Sequence, residues 1–212
     1  MRSARRSSTG WPSAAAWSGN INSNSKTTTL SCACSTAGAG IIGAHVGCWG
    51  TGAGFFGDYA RRMHLVMYDA ELRQIKNVMD KHCKQEGYKV IAVNEGGIES
   101  ILRIKEVLDR KEYVCFQGDR FVEGSPTAKV PFMGRKAPFP AGPFAVAGKF
   151  RAPVVFYYAM RERGRRYRFI FDIPDGDGCG TKEAVLGSYV RSLEAVVRRY
   201  PQQWFNFYRF WS

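Results

Sequence analysis

The chain of 212 residues carries a formal net charge of +13 at pH 7, and 45% of its residues are hydrophobic. This composition excludes a largely disordered chain, and the length suits one domain with a substantial core. No run of 18 apolar residues occurs, so we predict no transmembrane helix and only peripheral contact with a membrane. The positive charge indicates an anionic partner of one of three classes: nucleic acid, an anionic membrane surface or a phosphorylated substrate.

Six dispersed cysteines without a C-x-x-C pair are typical of reduced, mostly buried thiols in a cytoplasmic protein. The N-terminal segment has a different composition from the rest. Residues 1–37 contain no acidic residue and are rich in Ser, Thr, Ala, Asn and Arg. We therefore predict a disordered or aberrant tail over residues 1–38 and one folded domain over residues 39–212. The alternative for the tail is a basic arm that contacts nucleic acid or lipid headgroups.

Strand and helix patterns alternate from residue 38 onward. Apolar runs predict strands at 40–44, 63–68, 88–93, 113–116, 152–160 and 167–173. Helical periodicity or turn signals predict helices at 49–59, from Asp69 to Gly87, at 144–150 and at 181–200. A further helix is predicted from an apolar face formed by residues 98, 101, 102, 105 and 108. Residues 118–143 are punctuated by Gly and Pro, which predicts a long functional loop. The order indicates an α/β fold with a central, mostly parallel sheet flanked by helices.

A histidine follows the first predicted strand. His45 precedes a glycine turn, at the carboxyl end of a strand where open α/β sheets place their ligands. An imidazole with a pKa near the working pH can take a proton from an alcohol, so His45 is a candidate general base. The alternative is a histidine with no special role.

Two charged residues follow the fourth predicted strand. Asp119 and Arg120 would emerge at the same sheet edge as His45 if the two strands are parallel. A guanidinium there can hold a phosphate or carboxylate through a bidentate fork, while an ordinary ion pair is the alternative. Further along, a Pro/Gly turn that contains Gly142 precedes the helix predicted at 144–150, and backbone N–H groups at the start of that helix could bind a phosphate.

Six motifs in this order resemble the lipid A biosynthesis lauroyl/myristoyl acyltransferase branch of the lysophospholipid acyltransferase superfamily. That family carries His-x-Gly-Asn-Trp-Glu after its first core strand, where this chain has His-Val-Gly-Cys-Trp. The matching segments are residues 45–49, the Gly-Asp-Arg block at 118–120, 132–134, 140–143, 152–155 and 199–205. The resemblance extends over about residues 40–211.

The resemblance implies transfer of a fatty acyl chain from an acyl-carrier-protein or acyl-CoA thioester to a hydroxyl of a lipid acceptor, without a bound cofactor. By this analogy His45 and Asp119 are the catalytic residues, and Arg120, Gly118 and Gly142 bind substrate. It also implies a peripheral location on the cytoplasmic face of the inner membrane, with an anionic membrane surface rather than nucleic acid as partner.

Two departures from the family pattern predict impaired activity. The family's acidic residue five positions after the histidine is Gly50 here, and relatives carry a hydrophobic N-terminal region that this chain replaces with a different sequence. Since that carboxylate would orient the imidazole, Gly50→Glu is expected to raise activity. The alternatives to an active enzyme are a non-catalytic truncated relative that binds lipid and a basic nucleic-acid-binding module.

Arginines and aromatic residues are concentrated towards the C-terminus. Rings beside cations suit a membrane interface, whereas aromatic residues that pack on the core are the alternative for each ring. The arginines concerned are 161, 163, 165, 166, 168, 191, 198 and 199, and the aromatic residues are 204, 205, 207, 208, 210 and 211.

Overall fold

The structure, a computed structural model, describes residues 38–48, 57–68, 88–93, 98–164, 166–176, 178–207 and 209–211. The helix predicted from Asp69, most of the one predicted at 49–59 and position 50 lie outside the described residues. The strands are β1 (Ala39–Gly43), β2 (Met63–Tyr68), β3 (Lys89–Val93), β4 (Tyr113–Gln117), β5 (Thr127–Phe132), β6 (Arg135–Pro140), β7 (Val154–Arg161) and β8 (Tyr167–Asp172). The helices are α1 (Ile98–Asp109), α2 (Gly142–Phe150) and α3 (Lys182–Arg199), with 3-10 turns at Gly57–Arg62 and Pro201–Gln203.

Six strands form one sheet in the order β3-β2-β4-β1-β7-β8. All neighbouring pairs are parallel except β7 and β8, which are antiparallel. The predicted α/β fold with a mostly parallel sheet is therefore confirmed. Because β1 and β4 are adjacent and parallel, their carboxyl ends lie side by side at one edge of the sheet.

Helix α3 supplies much of the apolar cover of the sheet. Thr181 caps its first turn by accepting a hydrogen bond from the Ala184 N–H at 3.3 Å. The Tyr189 ring is fully buried and packs 5.4 Å from the Phe156 ring of β7 and 5.2 Å from the Phe144 ring of α2. The amphipathic pattern predicted for 181–200 is thus realised as a helix with one face in the core.

The long loop predicted over residues 118–143 was wrong. Most of that stretch is an antiparallel hairpin, β5 and β6, which pairs from Thr127↔Pro140 to Phe132↔Arg135. Prolines in strands are confined to edges, and a two-stranded sheet consists only of edges, so three prolines are tolerated here. Gly134 at the turn has a φ of +82°, which suits glycine.

The apolar face predicted for α1 was wrong except at Leu108, which is partly buried against the core. The structure buries Ile104 and Val107 against the core, whereas Ile98 and Leu102 are 72% and 57% exposed. The helix has more apolar positions than one buried stripe can use, so periodicity alone selected the wrong stripe. Among the described residues, no helix is long and apolar enough to cross a membrane.

A buried histidine at the opposite, amino edge of the sheet should make stability depend on pH. His64 at the start of β2 lies 2.7 Å (Nε2 to Oε2) from Glu112. Burial lowers the pKa of His64, although the hydrogen bond and charge of Glu112 oppose this shift. The unfolded chain then binds this proton at higher pH than the folded protein, so stability is greatest above the ordinary histidine pKa of about 6.5 and falls as the pH drops through the lowered pKa.

Urea unfolding should therefore give a free energy that decreases from pH 7.5 to 5.5. His64→Gln should flatten this dependence, since glutamine cannot titrate. An equally steep decrease in the variant would show that other groups cause it.

Candidate active site

A tight turn after β1 fixes the position of His45. Gly47 in this turn has a φ of +67° and forms a bridge to Ala159 of β7. A Cβ at position 47 would lie 2.2 Å from the Ala159 carbonyl oxygen, and the next residue, Cys48, donates its N–H to that oxygen at 2.7 Å. Only glycine satisfies both the backbone angle and the close approach, so the His-x-Gly motif positions the histidine.

Gly47→Ala should destabilise the fold by about 1–2 kcal/mol for the left-handed backbone and by roughly 1–3 kcal/mol more for the clash. Gly134→Ala is the matched control, because Gly134 has a φ of +82° and a Cβ added there would meet no atom within 4 Å. Chemical unfolding of both variants separates the two costs. Equal losses would show that the approach to Ala159 contributes nothing.

Asp119 reaches the same place from β4. The Gly118 N–H donates to the Gly43 carbonyl at 2.9 Å, and the Tyr189 hydroxyl donates to the same oxygen at 2.9 Å. A Cβ on Gly118 would lie 2.7 Å from both the Ile42 and the Tyr189 side chains. These contacts hold the ends of β1 and β4 together, and the next residue, Asp119, projects towards His45.

The His45 and Asp119 side chains are in direct contact. His45 Nδ1 lies 2.9 Å from Asp119 Oδ1, and the His45 backbone N–H donates to Asp119 Oδ2 at 2.9 Å. The Asp119 side chain is 3% exposed and the His45 side chain 15% exposed. The carboxylate is therefore buried behind an imidazole that still reaches solvent.

This contact selects one tautomer of the imidazole. An ionised carboxylate only accepts hydrogen bonds, so the proton of a neutral His45 resides on Nδ1. The lone pair of Nε2 then faces away from the carboxylate and can accept a proton, and a carboxylate in this position can stabilise an imidazolium. Among the described residues, no group of three His, Cys, Asp or Glu side chains could hold a metal ion.

The segment after α3, described over residues 200–207 and 209–211 and here named the closing segment, covers one side of this site. Trp204 forms a bridge with Val46, the Gln203 carbonyl accepts from the Gly47 N–H at 2.8 Å, and the Phe205 N–H donates to the His45 carbonyl at 2.9 Å. The turn that carries His45 is thus held between β7 and a segment about 160 positions away.

The structure does not bring all the sequence-selected residues to one point. The Arg120 guanidinium donates to the Phe205 carbonyl at 2.5 Å, so it ties the same closing segment to β4. Gly118 is buried in the packing beneath the pair. Gly142 begins α2 and is exposed, and the hydrogen bonds of the described ranges do not join it to His45 or Asp119.

The aromatic residues of the closing segment divide into two groups. Trp204, Phe210 and Trp211 pack around the buried Phe132 ring with centroids 5.4–6.2 Å away. These three rings therefore pack on the core, which was the alternative to a membrane contact. Phe205 and Phe207 instead lie in mutual contact at 6.1 Å, and they are 41% and 85% exposed.

Sequence reasoning missed two residues that build the site. Tyr189 was assigned only to the apolar face of a helix, yet its hydroxyl fixes the end of β1. Gln203 holds the backbone of Arg161 through two hydrogen bonds of 2.8 and 2.9 Å. The sequence signal for Tyr189 was a hydroxyl-bearing side chain among the apolar residues of one helix face. No neighbouring residue in the sequence indicates a role for Gln203.

The imidazole and its buried carboxylate lie at the carboxyl edge of a mostly parallel sheet, where open α/β sheets bind their ligands, and such a pair is chemically able to provide a general base. The family model for bacterial lipid A biosynthesis acyltransferases matches residues 34–212. Since this match covers most of the chain, the protein belongs to that acyltransferase family. A search of curated proteins found no match.

Proposed function

We propose that the chain catalyses O-acyl transfer from an acyl-carrier-protein or acyl-CoA thioester to a hydroxyl of a lipid acceptor, of the lipid A precursor or lysophospholipid type. The observation that carries this proposal is the 2.9 Å contact between His45 Nδ1 and the buried carboxylate of Asp119. Membership of the acyltransferase family supports the choice of an acyl group over other transferred groups.

The proposed reaction needs one base and no covalent acyl-enzyme. His45 Nε2 takes the proton of the acceptor hydroxyl while its oxygen attacks the thioester carbonyl carbon. The C–O bond forms, the C–S bond breaks from the tetrahedral adduct, and the leaving thiolate sulfur takes the proton back from the imidazolium. Asp119 keeps the ring oriented and stabilises its cation through both proton transfers.

The position of Asp119 changes what Gly50 implies, because the family has an acidic residue where this chain has Gly50. The sequence predicts that Gly50 deprives His45 of its orienting carboxylate. We propose instead that Asp119 supplies this carboxylate, because its two oxygens contact the His45 ring and backbone. The chain therefore needs no acid at position 50 to hold the imidazole, which favours an active enzyme over a non-catalytic relative.

The test is thioester consumption by the purified chain with long-chain acyl-CoA and acyl-carrier-protein donors and a panel of lipid acceptors. Mass spectrometry should detect an ester on the acceptor for at least one donor and acceptor pair. The same acceptor with its hydroxyl methylated is the control and should give no product. A folded protein that forms no ester with any pair would leave the non-catalytic relative as the better account.

We further propose that the protein works at the cytoplasmic face of the inner membrane as a peripheral protein. The exposed Phe205 and Phe207 rings lie next to the His45 turn, and exposed arginines of the β7–β8 turn lie nearby. Rings at headgroup depth beside cations suit an anionic interface.

Flotation with anionic vesicles should recover the protein, and Phe207→Ser should reduce recovery severalfold. Ile98→Ser, on exposed α1, is the control, and an equal loss in both variants would contradict this orientation.

A further inference from the structure

A groove lies beside the His45–Asp119 pair, in a part of the molecule that the proposed reaction does not use. It is open to solvent and has a volume of about 790 Å³. Cys48 and Phe205 are among its lining residues: the Cys48 N–H donates to the Ala159 carbonyl of β7, and the Phe205 N–H donates to the His45 carbonyl. The groove therefore adjoins the turn that carries His45 and is lined in part by residues of the β7–β8 turn.

Three exposed arginines line this groove: Arg161, Arg163 and Arg166. The ion pairs of the described residues involve none of them. The carboxylate in the groove, that of Glu162, is already paired with Arg168 at 2.5 Å (Nε to Oε1). This hydrogen bond raises the pKa of Arg168, so the guanidinium remains charged beside Glu162. The groove thus carries three guanidinium charges that its own carboxylate does not neutralise.

The backbone that carries these arginines is held in place. Gln203 bonds both the N–H and the carbonyl of Arg161, at 2.9 and 2.8 Å. The Glu162 N–H donates to the Arg166 carbonyl at 2.9 Å, which closes the turn, and Gly164 at its tip has a φ of +76°. Since Gln203 also bonds Gly47 through its carbonyl, one residue links the arginine groove to the turn of the candidate base.

We propose that this groove binds phosphate groups of one of the two substrates while the reacting hydroxyl or thioester of that substrate reaches His45. A planar guanidinium matches the oxygens of a phosphate through two parallel hydrogen bonds, and three of them in one groove suit a multiply charged group. The phosphate belongs either to the lipid acceptor or to the coenzyme A or phosphopantetheine part of the donor. This inference rests on the proposed acyl transfer for its assignment to a substrate.

The experiment measures equilibrium binding to the full chain by calorimetry at low salt, without turnover. Coenzyme A is compared with pantetheine, which lacks its phosphates, and soluble dihexanoyl phosphatidic acid is compared with dihexanoylglycerol. The variant Arg163→Gln/Arg166→Gln is compared with Arg103→Gln/Lys105→Gln. The second variant removes the same charge from exposed positions on α1, whose contacts are with β3 and β4 rather than with the groove.

The groove variant should weaken binding of at least one phosphate-bearing probe by about tenfold or more, as expected for charge-assisted hydrogen bonds worth at least ~1.4 kcal/mol. The control variant should bind within about threefold of the unmodified chain. A loss confined to coenzyme A assigns the groove to the donor, and a loss confined to phosphatidic acid assigns it to the acceptor.

Two results would overturn the proposal: neither phosphate probe binds better than its phosphate-free partner, or both double variants lose affinity equally. If the glutamine variant does not fold, Arg163→Lys/Arg166→Lys keeps the charge but loses the fork and should still weaken binding. The variant His45→Asn should bind normally. An inactive enzyme that binds phosphate at the groove would therefore contradict the proposed function and leave this proposal standing.

Discussion

Replacing Asp119 by asparagine is expected to lower turnover by roughly 10⁴-fold, the loss known for the same substitution of the orienting aspartate in a serine protease. Asparagine has nearly the same shape, so the buried position stays filled. Its amide can donate to Nδ1, which would shift the imidazole proton to Nε2 and remove the lone pair that the acceptor hydroxyl requires. The contact between Nδ1 and Oδ1 at 2.9 Å is the one that the substitution changes.

Single-turnover acyl transfer measures this effect, with Asp109→Asn as the control because that carboxylate is exposed and, in the part of the chain that the structure describes, forms its ion pair with Lys105 on the same helix. Gly50→Glu belongs in the same series. If Asp119 is the orienting group, Gly50→Glu should change the rate by less than about tenfold, a small part of the effect of losing an orienter. A rate within threefold of the unmodified enzyme for Asp119→Asn, with a large gain for Gly50→Glu, would reverse the assignment.

Loss of the imidazole itself should lower turnover by about 10²- to 10⁴-fold, the usual contribution of a general base. His45→Asn is the informative substitution, because its amide N–H can still face Asp119 while Nε2 disappears. The buried carboxylate therefore keeps a donor, which avoids a folding penalty of about 1–3 kcal/mol for an unsatisfied group. Thermal unfolding of the variant should remain close to that of the unmodified protein.

Two further measurements separate a base from a structural residue. Added imidazole should restore part of the activity of His45→Ala, since the space left by the missing ring is at a partly exposed position that the added imidazole can reach. The double variant His45→Asn/Asp119→Asn should be no slower than the slower single variant, because the two side chains act as one unit. The remote substitution His64→Gln should retain activity. If the double variant lost turnover by the product of the two single losses and added imidazole restored no activity, the two residues would not form a base and its orienting group.

Local pattern predicted most strands but not where their side chains point. The segment Met63–Tyr68 reads as a strand because its apolar and β-prone residues are continuous, and β2 has those bounds. The hairpin over 127–140 was missed because Pro131, Pro138 and Gly134 are loop signals unless a strand lies at an edge. Edge status depends on which strands pair, and no local window contains that information.

The sequence predicts that His45 and Asp119 lie at the same edge of the sheet, but it does not predict their direct contact. His45 and Asp119 each follow an apolar run, so a parallel arrangement brings both to one sheet edge. The hydrogen bond between them requires more: β1 and β4 must be direct neighbours, and Tyr189 must hold their ends in register. The groove arginines were seen as a charged cluster, but their closeness to His45 depends on Gln203, which is 42 positions beyond Arg161.

The closing segment sets the order in which the protein matures. Synthesis proceeds from the N-terminus, and His45 leaves the ribosome 160 residues (205 minus 45) before Phe205, which bonds its carbonyl. At about 5–20 residues per second, the histidine turn waits roughly 10–30 s for this partner. The sheet can begin to pair during that time, whereas the turn has no Trp204 bridge and no Gln203 contact. The edge of the sheet that carries His45 is therefore completed after the strands have been made, and a chain stalled before residue 203 would contain His45 and Asp119 without the segment that closes the site.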